Sequence, residues 1–363
     1  MIRHSRPTIR KKDLESALKV MISDNLATGD IIKEFEKTFA NYFGKSFSAI
    51  FVSSGTSALE IILRYLNISE EDEVIMSSFL NASPLQAVVN LKAKPILIDI
   101  DEDSFQISMD NVIEAINEKT KAIIVSHMFG NCALIDELAD IKVPVIEDAS
   151  HSLGGKYRDT LLGSFGDFAY FSFSATRMIT SGGAGGMILT KKKGMDAIRD
   201  IIHYDKKENF IPRFNYCATD LQASIGMEEF KHIERMIEVR KDIASFYDSA
   251  ILESKLSKFS MHDSEEPSYY RYVCMLNGEM NIYDTISMFE RHKVEVAKPI
   301  FKPLHQYLNL PKEDFPNTEK AYLNSISLPI YPTLQKNEAD LICKLIIQIR
   351  SLYYSESHHS VYI

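Results

Sequence analysis

The chain reads as an α/β protein: a large domain with a mostly parallel central sheet, followed by a smaller α+β C-terminal domain. Three observations predict this. From Ser48 onward, short apolar runs alternate with helical patterns, the signature of βαβ units whose parallel strands are covered on both faces. Polar clusters at Ser53–Ser57, Ser77–Asn81, His127 and Asp148–His151 fall where those runs end, the edge at which open α/β sheets hold ligands. A length of 363 residues exceeds what one small core needs and fits two domains.

Taken in order, residues 11–25 carry Leu14, Leu18, Val20 and Met21 near helical spacing, a short amphipathic helix. Thr28, Gly29 and Asp30 form a turn and cap before a helix in which Ile31, Phe35, Phe39 and Phe43 recur every fourth residue, and Gly44 closes it. The strand SAIFV runs into Ser53, Ser54, Gly55, Thr56 and Ser57 and then into a helix with Ala58, Leu59, Ile62 and Leu63. A small-residue turn at a helix start leaves amides unpaired and suits a phosphate, although a capped helix start that binds nothing has the same appearance.

Strand and helix then alternate through EVIMSS, NASPLQAVVNL, KPILIDID, MDNVIEAIN, KAIIVSHMFG, LIDELADI and VPVIEDAS. A Ser-rich aromatic strand at Phe171–Phe173, a Gly-rich turn and the strand MILT follow, then a solvated Lys191–Lys193 run and the helical DAIRDIIHY. Residues 205–216 are polar and irregular, a surface loop. A single long helix is expected from Asp220 to Leu252, joining a first domain of residues 1–245, which includes the N-terminal arm, to a second of 246–363. The second contains the strand patterns YRYVCML and VEVAKPI and the helical runs IYDTISMFERH and EADLICKLIIQIRSLYYS.

Composition narrows the function. With 45% hydrophobic and 25% charged residues the chain is of ordinary globular type, and a net charge of −9 opposes nucleic-acid or anionic-membrane partners. Cys132, Cys217, Cys274 and Cys343 make no CxxC pair, so neither a metal site nor a disulfide framework is expected. The basic N-terminus lacks an apolar leader segment and no run of about 18 apolar residues occurs, which gives a cytoplasmic, soluble reading.

The segments TGDIIKEFEKTFANYFG, SSGTSAL, KPILIDID, IEDASHSLGGKY, GSFGDFAYFSF, NYCATDLQASIG and KPLH before SLPIYP occur in the order found in one family. From RPTI near the start to LPIYPTL near residue 330 the chain resembles the DegT/StrS-type sugar aminotransferases, pyridoxal phosphate (PLP) enzymes of the aspartate aminotransferase-like fold type I. PLP asks a protein for a phosphate cup, a carboxylate on the pyridine nitrogen, packing on the ring and normally a lysine for a covalent link. The resemblance implies that Ser54, Gly55 and Thr56, with the Ser172 hydroxyl, hold the phosphate of PLP or of pyridoxamine phosphate. It implies that Asp148 pairs with the ring nitrogen and that His151 stands near the ring hydroxyl. It gives Asn215 to the site of a partner subunit, hence a homodimer with shared sites, and Thr28 and His305 to substrate. His127, at a strand end, is read as structural, with a substrate role as the alternative. The implied reaction moves an amino group from glutamate to a ketosugar, commonly nucleotide-linked.

Three positions depart from the family. Arg177 stands where the covalent lysine belongs, as an introduced trap or a natural variant. A guanidinium can neither attack an aldehyde nor serve as a base near neutral pH. Asn81 occupies the place of a ring-stacking aromatic, for which Phe79 is the alternative, and Cys217 follows Asn215–Tyr216 where arginine is usual. Arg177 keeps open a PLP- or pyridoxamine-dependent sugar dehydratase, a transaminase of a small phosphorylated ketone, and a non-catalytic PLP-binding pseudoenzyme.

Overall fold

The computed structural model describes residues 1–23, 26–191, 195–262, 264–277 and 280–356, with side chains to 349. The arm leads into α1 (Lys11–Met21) and α2 (Asp30–Phe43). A seven-stranded sheet follows, made of β1 (Ser48–Val52), β2 (Glu73–Ser77), β3 (Lys94–Ile98), β4 (Thr120–Ser126), β5 (Val145–Asp148), β8 (Phe168–Ser172) and β9 (Gly186–Thr190). Its order is β1-β9-β8-β5-β4-β2-β3; β9 runs against both neighbours, and the pairs from β8 to β3 are parallel. The helices α3 (Gly55–Tyr65), α4 (Ala82–Asn90), α5 (Met109–Ala115) and α6 (Met195–Ile202) connect these strands or follow them. Side chains of α3, β1, β2, β4 and β8 make the main apolar cluster, while Phe35, Phe39, Phe171, Phe173 and Phe230 pack the opposite face. A mostly parallel sheet inside such layers is the expected architecture.

The stretch LIDELADI forms only a 3-10 turn at Ile135–Leu138 instead of a helix. The chain just before it is held by the Cys132 amide donating to Glu265 and the Ala133 amide donating to His127, which leaves too few residues for a helix. The short strands β6 (Lys156–Tyr157) and β7 (Thr160–Leu161) form a hairpin over this region.

The expected long helix is two, α7 (Asp220–Phe230) and α8 (Ile233–Leu252), with a break at Lys231–His232. Each packs on a different body: α7 lies against α1 and α2, whereas α8 lies against α12 (Lys336–Glu356), and one straight rod could not do both. Within α8, Ile233, Met236 and Ile237 join the aromatic cluster of the large domain, and Ile243 to Ile251 join the second core.

That second core is built on β10 (Leu256–Ser257), β12 (Tyr272–Leu276) and β13 (Ser325–Leu328). It also takes α9 (Ile282–Arg291). The short β11 (Glu265–Glu266) pairs with β6, while α10 (Leu304–Tyr307) and α11 (Pro316–Asn324) place Leu304 and Ala321 in the main apolar cluster. VEVAKPI forms no full strand; it makes single bridges at Val294 and Ala297. One of these pairs with Ile2, so the first residues of the arm pack in the second core rather than in the large domain. Lys192, Lys193, Asp24 and Asn25, parts of two sequence expectations, lie outside the described residues.

Candidate active site

The site begins with the turn after β1. Ser54 caps α3: its hydroxyl accepts from the Ser57 amide at 3.1 Å, and the Ser57 hydroxyl accepts from the Ser54 amide at 2.9 Å. This reciprocal cap leaves the amides of Gly55 and Thr56 as first-turn donors that the helix cannot bond internally. The turn presses onto the sheet. A Cβ on Gly55 would lie 2.8 Å from the Ser172 Cβ, and one on Gly186 would lie 2.2 Å from the Ser54 carbonyl oxygen, so both positions need glycine. Close approach thus brings a helix N-terminus, with its positive dipole end, against the Ser172 hydroxyl.

A cleft of about 240 Å³ opens there, lined by Ser54, Gly55, Thr56, Asn81, Asp148, Tyr170, Ser172 and Arg177 among others. Asp148 ends β5 and is 7% exposed; its carboxylate accepts from the Ser126 hydroxyl at 3.3 Å and the Ser150 amide at 3.0 Å, which fixes it at the cleft wall. Tyr170 and Ser172 share one face of β8 by the two-residue strand period. The buried Tyr170 hydroxyl has no partner in hydrogen-bond geometry, and burial followed by the nearby Asp148 charge raises its pKa well above the ordinary value. An unpartnered hydroxyl beside a carboxylate at a cleft is a natural position for a ligand group.

Other residues named from the sequence lie elsewhere. Phe79 is fully buried, with its ring centroid 5.2 Å from Phe105, and packs in the core, so it supplies no face to the cleft. Asn81 does line the cleft but acts as the cap of α4, accepting from the Ser83 amide at 3.0 Å. His305 is buried, bonded to Ser78 at 2.7 Å and Glu319 at 2.8 Å and stacked on Phe315; these contacts use both ring nitrogens and one face, which makes it a structural residue. Thr28 donates to the Ala218 carbonyl at 3.2 Å in the turn before α2. Asn215 is exposed at the end of the loop, next to Tyr216, whose carbonyl accepts from the Ser53 amide. Cys217 sits over His203 and the Ile202 carbonyl.

His151 stacks on Tyr270 with ring centroids 4.3 Å apart. Burial, then the charges of Arg177 and Arg271, drive its pKa well down, so the ring is neutral at physiological pH. Arg177 itself lines the cleft with its guanidinium 5.3 Å from the Tyr270 ring centre. Sequence reasoning misses both Tyr170 and Tyr270. The two-residue offset from Ser172 signals the first, and nothing local signals the second.

Beneath the site, His127 and Glu147 form a buried pair at 2.8 Å. The His127 Nδ1 accepts from the Ala133 amide, so Nε2 carries the proton and donates to Glu147, whose oxygens also accept from the amides of Gly163, Phe165 and Gly166. Glu147 therefore fixes the turn that follows β7 directly under Asp148, a structural role that agrees with the reading of His127. Glu147→Ala would strand these donors and is expected to cost about 3–5 kcal/mol in denaturant unfolding. A loss under about 1 kcal/mol would show that the pair holds nothing.

A parallel-sheet edge that combines a helix-start oxyanion cup, a facing hydroxyl and a fixed carboxylate defines an α/β protein built to hold a phosphate-bearing ligand. The chain belongs to the DegT/DnrJ/EryC1/StrS aminotransferase family, whose sequence model matches residues 7–347. It is 32% identical to an uncharacterised protein of Methanocaldococcus jannaschii, over 93% of this chain and 96% of that protein. It is 29% identical to the GDP-perosamine synthase of Vibrio cholerae, over 88% of this chain and 90% of the synthase. A Streptococcus pneumoniae protein described as a sugar aminotransferase, solved in a PLP form, superposes with a TM-score of 0.89 at 23% identity, covering 96% and 98% of the two chains, which shows the shared fold. Among the described residues no group of side chains could hold a metal, the four cysteines are free thiols, and no helix is long and apolar enough to cross a membrane.

Proposed function

We propose that this chain binds PLP or pyridoxamine phosphate in the cleft and is built for amino transfer from glutamate to a nucleotide-linked ketosugar, with Arg177 in place of a covalent lysine. The observation that carries the reading is the convergence of the Gly55–Thr56 helix start, Ser172, Asp148 and Arg177 on one cleft. The residues fit the cofactor: the close Gly55–Ser172 approach sets the helix start beside the Ser172 hydroxyl, and Asp148 and the unpartnered Tyr170 hydroxyl stand at the cleft wall. When bound, PLP supplies an electron sink through which an amino group passes between donor and acceptor.

In this reading the Gly55 and Thr56 amides and the Ser172 hydroxyl hold the phosphate, while the Ser54 hydroxyl, which donates to Ser57 Oγ at 3.0 Å, serves as the helix cap. Asp148 accepts a proton-bearing ring nitrogen and keeps it charged. Asn81 and Pro84 close one wall. Arg177, permanently protonated, binds anionic groups and moves no proton. The partner's loop completes the site in a homodimer, a proposal supported by the exposed Phe210 at 97% and Ile211 at 47% beside Asn215. A cytoplasmic location is part of the same reading.

Arg177 favours one second reading, a PLP- or pyridoxamine-dependent dehydratase or a non-catalytic binder, because both dispense with a lysine base. Absorbance titration with PLP, then mass spectrometry of products from glutamate and GDP- or UDP-linked ketosugars, separates them: an aminosugar supports transfer, a deoxysugar dehydration, and binding without product the non-catalytic form. Ser172→Ala is expected to weaken PLP binding about tenfold, the value of one hydrogen bond to a charged acceptor. An unchanged dissociation constant would remove Ser172 from the cup.

A further inference from the structure

Strand β8 and the residue after it read Phe168, Ala169, Tyr170, Phe171, Ser172, Phe173. Three of the four aromatics are phenylalanines and the fourth is a tyrosine. Tyr170 is 3% exposed and packs with Phe168 in the main apolar cluster, while its hydroxyl oxygen is closed to solvent and has no partner in hydrogen-bond geometry. A phenylalanine would fill the same space without stranding a polar group. The hydroxyl is therefore the one feature of this strand that packing leaves unexplained.

Strand register places it. Tyr170 pairs with Asp148 across the parallel strands β5 and β8, and the Ala149 amide donates to the Tyr170 carbonyl at 3.0 Å. Residues paired in this way project from the same face of the sheet, about 4.8 Å apart. Ile146 and Phe168, paired two residues earlier, both lie in the main apolar cluster, and Asp148 and Tyr170 both line the cleft. An ionised carboxylate offers about four acceptor sites. Of those on Asp148, Oδ1 takes the Ser150 amide and Oδ2 the Ser126 hydroxyl, which leaves room for two further donors. Burial, then the Asp148 charge, raise the Tyr170 pKa well above the ordinary value, with Arg177 acting in the opposite direction, so at neutral pH the hydroxyl keeps its proton and is a donor.

We infer that Tyr170 is a positioning residue for the cofactor: its hydroxyl donates to the Asp148 carboxylate and, with Ser126 and Ser150, holds it in the orientation that receives a ring N–H. The inference rests on the PLP reading proposed above, in which the ring nitrogen is the fourth donor to Asp148. The hydroxyl stands outside hydrogen-bond geometry toward Asp148, so the bond closes by a small tilt of the phenol as the carboxylate takes up its ligand. Closed to solvent, the hydroxyl reaches the ligand only through Asp148. Its effect is therefore confined to ligands that use this carboxylate, which separates a positioning role from a general effect on the shape of the cleft.

The test is calorimetric titration of the chain with PLP and with 1-deaza-PLP, in which a C–H replaces the ring nitrogen. With arginine at 177 no covalent link forms, so both titrations read affinity directly. Tyr170→Phe keeps the ring and deletes the hydroxyl. It is expected to weaken PLP about three- to tenfold, the worth of one hydrogen bond, and to leave 1-deaza-PLP within about twofold. The thermal midpoint of the protein without ligand should stay the same or rise, because an orphaned hydroxyl is removed. In the Asp148→Asn background the same substitution should no longer weaken PLP, since the two side chains act as one unit. Equal weakening of both ligands would show that Tyr170 only shapes the cleft, and an unchanged PLP affinity would remove it from the site; either result overturns the inference and leaves the proposed function standing. Failure of the unsubstituted chain to bind PLP would instead overturn the proposed function, and the inference with it.

Discussion

Arg177→Lys is expected to convert reversible cofactor binding into a covalent link and to raise glutamate-dependent turnover by about 10²-fold or more, the usual contribution of a positioned general base. Arg177 lines the same cleft as Asp148 and Ser172, so a shorter amine there would enter the cavity that the guanidinium now borders. The positive neighbourhood helps: with Arg271 also 5.3 Å from the Tyr270 ring centre, a lysine would have its proton disfavoured and its free amine favoured near neutral pH. Cofactor loaded on the lysine form should survive dialysis that strips the arginine form. Equal retention by both, or no gain in turnover, would show that the residue at 177 does not face the cofactor.

Asp148→Asn is the second large effect. The substitution keeps the shape of the side chain but removes its charge, and it replaces one of the two carboxylate oxygens, which now accept from Ser126 and Ser150, with an amide donor. A charge-assisted hydrogen bond to the ligand is worth about 1.5–3 kcal/mol, so PLP should bind about ten- to a hundredfold more weakly. In the lysine-restored background turnover should fall further, because an unprotonated ring withdraws electrons poorly. Glu147→Ala, one residue earlier, should instead cost stability first. A variant series in which Asp148→Asn lowers the unfolding free energy while leaving PLP affinity unchanged would exchange the two roles.

Much of this was legible in residue order. The strand ends at Ser54–Thr56 and Asp148 were readable because apolar runs stop abruptly at small polar residues, and the structure brings both to one cleft. Ser172 was named through the family resemblance, and the strand period agrees with it, since Phe171 and Phe173 turn to the opposite face. What was not legible depends on long-range packing. Phe79 and Asn81 differ by two residues, yet a helix cap intervenes, so the strand period no longer decides which one faces the cleft. His305 carries the motif of a site residue, and only its contacts with Ser78 and Glu319, from distant parts of the chain, show it to be structural. The break at Lys231–His232 has no proline or glycine to announce it; two domains pulling one helical pattern in different directions produce it. Tyr270 and the arginines around it come from three segments, and no local pattern could have joined them.

The central claim is that this cleft holds PLP without a covalent bond. Intact-mass spectrometry of the PLP-saturated chain after borohydride reduction tests it directly. Saturable spectral binding together with an unmodified chain mass is expected, and an adduct at residue 177 once lysine is placed there. A cofactor adduct on the arginine-bearing chain, or no saturable binding at all, would contradict it.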